Sequence, residues 1–269
     1  PDRYYGAALC ISDGRARGAL VNGGGEIVET SVLGPAEDGG LKQAVLAYLD
    51  GLSAGQQLKA IGVGVPGIVE DGSFWRKSGP EGRLFRTDLG DALSQRYGVP
   101  VVLENDLNAA AIGFGRRYEK EFPQEDPART NMAYLNFEKG CASAGFLSGG
   151  RIVRGCRNFA GELGLVSPDG DRLLDDCLAG PLDDREYVRL VVQTVSWVCA
   201  ILNPQYVALG GPELREHCLA AISDGLFSLL PRHMFAEVLH APDLWGDYLE
   251  GMAWLTAEKM FAGVQVVRR

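Results

Sequence analysis

The sequence predicts an α/β protein made of two like lobes, each βββαβα, flanking a ligand cleft, and three observations carry that prediction. Hydropathy periodicity gives a βββαβαβ order in the first half, a βββαβ order returns in the second half, and a charged, proline-containing stretch lies between them.

Strand character appears at Tyr5 to Ile11, Arg17 to Val21 and Glu26 to Val32. The breaks at Asp13-Gly14 and at Asn22 to Gly25 read as two successive hairpins. Leu41, Ala44, Val45, Tyr48, Leu49 and Leu52 then recur at helical spacing and define one apolar face, that of a helix crossing the sheet. Lys59 to Val65 is a buried strand that stops at Pro66-Gly67. Leu89, Ala92, Leu93, Arg96 and Tyr97 form a second helical stripe, Val99 to Leu103 is the next strand, and a helix follows with Leu107, Ala110, Ala111 and Phe114 inward.

The second half opens with strands at Asn131 to Phe137, Cys141 to Leu147 and Arg151 to Arg154, broken by Gly140 and Gly149-Gly150. A long helix carries Tyr187, Leu190, Val191, Thr194, Val195, Val198, Ile201 and Leu202 on one face. The strand Gln205 to Leu209 stops at Gly210-Gly211, and Leu249, Met252, Ala253 and Met260 give a final helix. Arg116 to Thr130, with Pro123 and Pro127, is the expected linker. The expected lobes are therefore 1–115 with a returning C-terminal helix over 247–269, and 116–246. Strand ends of both lobes should face the cleft, where open α/β sheets bind ligands.

Composition narrows the function. The 269 residues hold 35 acidic and 26 basic side chains, a net charge of −9, so these residues are not expected to grip a nucleic-acid backbone themselves. No apolar stretch reaches the roughly 20 residues of a membrane helix and no leader opens the chain, so a cytoplasmic protein with no membrane partner is expected. The chain starts at Pro1, which leaves room for a missing N-terminal module, the only route to DNA contact. Six cysteines (10, 141, 156, 177, 199, 218) without a C-x-x-C pair are expected to be reduced and mostly buried. His217, His233 and His240 form no i, i+4 pair and are read as surface or capping residues, not metal ligands.

Three stretches could carry chemistry. In residues 99–111 a buried strand runs into Asn105 and Asp106 before a helix. Either residue can cap that helix, worth about 1 kcal/mol. An amide can also bind sugar hydroxyls while a neighbouring carboxylate accepts a hydroxyl proton. In residues 61–67 the final Pro66-Gly67 reads first as a turn, and second as a place where a ligand meets the main chain. Residues 155–164 form a glycine-rich loop with one carboxylate, Glu162, which is either a solvated acid or a group that holds vicinal hydroxyls.

Taken together these residues resemble the ROK family of sugar kinases and sugar-responsive repressors. The likeness runs through Val63 to Gly67, Glu104 to Ala111, Ala160 to Gly164 and Asn203 to Gly211, in that order. It implies an actin-like ATPase (ribonuclease H-like) fold, a homodimer or higher homo-oligomer, and a sugar or sugar-phosphate ligand. It also implies that Gly67, Asn105, Asp106 and Glu162 line the sugar site, with Asp106 as catalytic base if the protein is a kinase. Gly140, Gly210 and Gly211 would be cofactor-binding only if ATP binds.

The sequence departs from family kinases at both phosphate loops. Cys10 replaces an acid, Ser12, Asp13 and Gly14 replace a glycine-rich turn, and the run from Lys139 to Gly145 replaces the second loop. Main-chain N–H groups cradle phosphate only where small residues permit close approach. Leu165 stands where the family has a zinc-ligating His, and the residues after it supply only Cys177, so no zinc is expected. Asp175, Asp176, Asp183 and Asp184 are read as solvated loop and helix-start charges.

The expectation is a catalytically inactive, sugar-binding effector domain of a ROK-type transcriptional regulator, with no cofactor. An ATP- and Mg-dependent sugar kinase with divergent phosphate loops is the alternative. A structural or allosteric subunit without a small ligand is the third reading.

Overall fold

The computed structural model describes residues 4–12, 14–33, 40–55, 57–78, 83–122, 130–229, 231–234 and 236–262. The chain divides into two compact units, Pro1–Gly113 with Gly246–Arg269, and Phe114–Trp245.

The first unit is built on β1 (Tyr5–Ser12), β2 (Arg15–Asn22), β3 (Ile27–Leu33), α1 (Gly40–Gly55) and β4 (Leu58–Val65). β5 (Ile68–Glu70), β6 (Ser73–Ser78), β7 (Arg83–Thr87), α2 (Leu89–Tyr97) and β8 (Val101–Asn105) follow, and α3 (Asp106–Glu121) starts at the last residue of β8 plus one. Its main sheet has the order β3-β2-β1-β4-β8. The hairpins make the first three strands antiparallel, whereas β4 and β8 return after helical crossovers and run parallel to β1 and β4. The turn before β3 is held by the side chain of Asn22, whose Oδ1 accepts from Gly24 N at 2.9 Å and Glu26 N at 3.0 Å. Leu9, Ile61, Val63, Val45, Leu49 and Leu93 form the core between sheet and helices. Each such side chain contributes on the order of 1.5–3 kcal/mol on burial.

The second unit holds β9 (Met132–Glu138), β10 (Cys141–Ser148), β11 (Arg151–Ile152), α4 (Leu174–Ala179), α5 (Asp184–Leu202), β12 (Tyr206–Gly210), α6 (Leu219–Phe227) and β13 (Glu237–Ala241). Its sheet order is β11-β10-β9-β12-β13, with β12 parallel to β9 and β13 parallel to β12. α5 starts in a capping box, in which Asp183 accepts from Glu186 N and the Glu186 carboxylate accepts from Asp183 N. Asp183 is thus a helix cap, as its helix-start position suggests. α5 ends at Asn203, in the left-handed conformation at φ 46°, whose N–H donates to Cys199 O.

α7 (Leu244–Met260) closes the described chain and packs on the first unit. Small residues make this possible: a Cβ at Gly64 would enter the Tyr248 ring, and one at Gly113 or Gly251 would enter the backbone of Asp247 or Ala109.

Several elements differ from expectation. The antiparallel sheet β5-β6-β7 was not foreseen, nor were α4, α6 and β13, because strands of three to six residues and helices under ten give little periodicity. The expected linker is corrected at its start: residues 116–121 are the last turns of α3, and 123–129 lie outside the described residues. Among the described residues no helix is long and apolar enough to cross a membrane.

Candidate functional site

In the first unit the candidate residues meet where β4 and β8 end. Gly67 has φ +99°, a conformation that favours glycine, and this alone accounts for its residue type. Its carbonyl accepts a hydrogen bond from Asn105 Nδ2 at 3.0 Å. The other end of that amide, Oδ1, accepts from Leu107 N at 3.0 Å and Asn108 N at 3.1 Å. Asn105 is therefore both the N-cap of α3 and a clamp on the Pro66-Gly67 turn. Asn105 supplies most of the cap, and Asp106, the first helical residue and half-buried, gives Leu107 N a second acceptor, its Oδ1 at 2.9 Å.

Two residues that sequence reasoning did not single out complete this corner. Glu104 is 2% exposed, and its Oε1 accepts from Asn105 N at 3.0 Å and Asn108 Nδ2 at 2.9 Å. Asn108 is buried and its Oδ1 has no hydrogen-bond partner. The available signal was their i, i+4 spacing and their polarity inside otherwise apolar stretches.

At the end of β1, the Cys10 thiol is buried and pushed well up, by burial first and also by the Asp106 carboxylate, against the opposing charge of Arg17. The buried Tyr248 hydroxyl donates to Ile11 O at 3.2 Å and accepts from Ile11 N at 3.3 Å. Burial, Cys10, Asp106 and Glu104 together hold that phenol protonated. Gly14 has φ +70°, while Asp13 lies outside the described residues.

In the second unit the turn Lys139-Gly140 joins β9 to β10, with Gly140 at φ +64°. The main-chain N–H of Ala142 donates to Asp175 Oδ1 at 2.8 Å. Asp175 is half-buried in the first turn of α4 and packs on Gly164, where a Cβ would enter its carboxylate. Reading Asp175 as a solvated charge is thus corrected. The Cys141 thiol is pushed up to about 11 by burial, then by Asp175 and Glu138, with Ser143 opposing and Glu162 adding to the rise. Glu162 itself is exposed.

Gly210 and Gly211 end β12. A Cβ on Gly211 would enter the backbone of Phe137, and one on Gly210 would lie 2.6 Å from Ala241 O, so close packing explains both. A pocket of about 300 Å³ lies beside the β9 end, lined by Glu138, Lys139, Leu182, Tyr187, Glu213 and Arg215 among others. The zinc position of the resemblance offers no ligand set: Leu165 has no donor atom, and Cys177 is the one potential thiol ligand that the residues just after it supply. His217 is exposed, as a surface residue is expected to be, and its ring lies within 4.8 Å of donor atoms of Asp184 and Cys218.

Residues 10–181 match the ROK family model. The putative xylose repressor of Caldicellulosiruptor sp. is 34% identical over 109 residues, 40% of this chain and 26% of that protein. The bifunctional enzyme NanE/NanK of Brucella melitensis is 32% identical over 181 residues, 64% of this chain and 33% of that protein. The chain thus spans only a quarter to a third of the length of these relatives. In structure it is similar to the ROK hexokinase of Thermus thermophilus, with TM-score 0.69 and 20% identity over 96% of this chain and all of that one. The fold is the actin-like sugar-kinase fold of that family.

Proposed function

The chain belongs to the ROK family, and from that premise we propose that it is the sugar-binding effector part of a ROK-type transcriptional regulator that transfers no phosphate. The observation that carries this reading is the hydrogen bond from Ala142 N to Asp175 Oδ1. A phosphate-binding turn works by presenting unsatisfied main-chain N–H groups to an anion. Here a carboxylate of the chain already holds one of them, and Glu138 and Glu162 add negative charge around Cys141. A triphosphate would have to displace a fixed anion against like charge.

The hydroxyl-binding role is assigned to Gly67, Asn105, Asp106 and Glu162. Asn105 is held in place at both ends of its amide, and Asp106 stands at the start of α3 beside it. The ligand class is a sugar or sugar phosphate, in keeping with relatives that include xylose repressors and sugar kinases. DNA contact would fall to a separate module, because these residues carry a net charge of −9.

A second reading is an ATP-dependent sugar kinase, favoured by the acid kept at position 106. A general base contributes roughly 10² to 10⁴ in rate. In phosphoryl transfer most catalysis comes from positioning and charge stabilisation, which the Lys139-Gly140 turn is poorly placed to give. Gly140, Gly210 and Gly211 would be nucleotide contacts in that reading only.

Calorimetric titration with MgATP and with a panel of pentoses, hexoses and amino sugars separates the readings. Sugar uptake without nucleotide uptake is expected. Nucleotide uptake with sugar-dependent ADP release would overturn the proposal, and uptake of neither would favour a structural subunit.

A further inference from the structure

We propose that Asp184, His217 and Cys218 form a binding site for a thiophilic divalent cation, Zn²⁺ being the best match. The site is independent of the sugar reading and distinct from the position of Leu165. Each residue places one donor atom within 4.8 Å of the other two. Asp184 is the first residue of α5, and His217 and Cys218 share the 3-10 turn Glu216–Cys218, so the donors come from elements more than thirty residues apart.

For the imidazole and the carboxylate the spacing is close to that of a loaded site. His217 Nε2 lies 2.9 Å from Asp184 Oδ2. Two ligand atoms each about 2 Å from a tetrahedral centre stand roughly 3.3 Å apart, so only small side-chain rotations are needed. The other carboxylate oxygen, Asp184 Oδ1, accepts from Arg215 Nη1 at 2.6 Å. Arg215 is itself fixed by Leu182 O at 2.9 Å and by the Tyr187 ring, 4.7 Å from its guanidinium. A ligating carboxylate is commonly oriented by such an outer contact. Oδ2 is thereby left turned toward the imidazole.

Donor chemistry selects the cation. Sulfur, imidazole nitrogen and a single carboxylate oxygen suit zinc, whereas calcium and magnesium take oxygen donors. Cys218 is buried while Asp184 and His217 are exposed, so the sulfur side is dry and the opposite side leaves a fourth position for water. On binding, the thiol proton leaves to solvent and the thiolate and carboxylate together neutralise the dication. The cation would clip the start of α5 to the turn before α6 and stabilise the unit by mass action.

The test uses the full chain carrying Cys156→Ser, which removes an exposed competing thiol. Zn²⁺ is titrated against a chromophoric chelator, Co²⁺ is followed by its thiolate charge-transfer band, and folding is checked by circular dichroism. One Zn²⁺ per chain is expected, with a thermal upshift. His217→Ala, an exposed change that leaves the core intact, should weaken binding by about tenfold or more, and Cys218→Ser should also abolish the cobalt band. Absence of stoichiometric uptake, or uptake whose affinity either substitution leaves unchanged, overturns the site.

Discussion

Two polar turns of this chain, at the end of β8 and between β9 and β10, solve the same local problem differently. At the end of β8, a side-chain amide does most of the work: Asn105 caps α3 and holds Gly67 O, and Asp106 Oδ1 adds a second acceptor for Leu107 N. At the β9–β10 turn, a carboxylate satisfies the backbone, because Asp175 accepts from Ala142 N. The first arrangement rests mainly on a neutral group. The second spends the acid, and with it a donor that an anionic ligand would require.

The largest effect is expected where one side chain does two tasks. Asn105→Ala removes two cap bonds and the bond to Gly67, and should cost about 2–3 kcal/mol. For a chain of this size that corresponds to a fall in Tm of roughly 4–6 °C by calorimetry. A loss under about 0.5 kcal/mol would break the comparison, since the turn would then be held by something else.

Next comes Asp175→Ala, which leaves Ala142 N in a half-buried turn without its acceptor and should cost about 1–2 kcal/mol. The comparison sharpens if inorganic phosphate at millimolar concentration raises the Tm of this variant and leaves the parent chain unchanged. An equal response from both would show that the carboxylate does not stand where an anion binds.

Asp106→Asn should change stability by less than about 0.5 kcal/mol, because Asn105 makes two cap bonds and an amide at 106 keeps an acceptor for Leu107 N. The same substitution should lower sugar affinity about tenfold or more, read by calorimetry. Unaltered affinity would remove Asp106 from the proposed site.

Legibility in the sequence followed the length and regularity of each pattern. β1 to β4, α1 and α5 are strands of seven or eight residues and helices of sixteen or more, and their apolar spacing shows them directly. α6 was hidden by Gly225, which interrupts a nine-residue stripe and is small because Val192 packs against it. At the candidate site, Asn105 and Asp106 stood out as polar residues at the end of an apolar strand, but the division of labour between them did not. It depends on which of two adjacent side chains faces the helix N–H groups. Asp175 was illegible for another reason: its partner is a main-chain N–H 33 positions away, and backbone groups leave no mark on sequence. The pairing of Asp184 with His217 and Cys218 was hidden by the same kind of separation.

The smallest effect concerns the Cys141 thiol, which reports the field at the charged turn without altering its shape. Burial and the carboxylates of Asp175, Glu138 and Glu162 raise it from 9.0 to about 11, so alkylation near pH 8 should be roughly a hundredfold slower than for an ordinary accessible thiol. Asp175→Asn keeps an acceptor for Ala142 N and removes the charge, so the rate should rise, by less than about tenfold because burial is the larger cause. The sign of the accompanying stability change follows from proton linkage. With its folded value above its unfolded one, this thiol contributes stability fully below about pH 9, and that contribution is lost as the pH rises toward 11. Asp175→Asn should therefore flatten the alkaline arm of a stability-against-pH curve. Site-resolved alkylation by mass spectrometry checks the first effect, and urea unfolding between pH 8 and 10 checks the second. An unchanged rate would mean that Asp175 acts on this turn through its hydrogen bond alone, and the contrast with the neutral turn would then be one of geometry and not of charge.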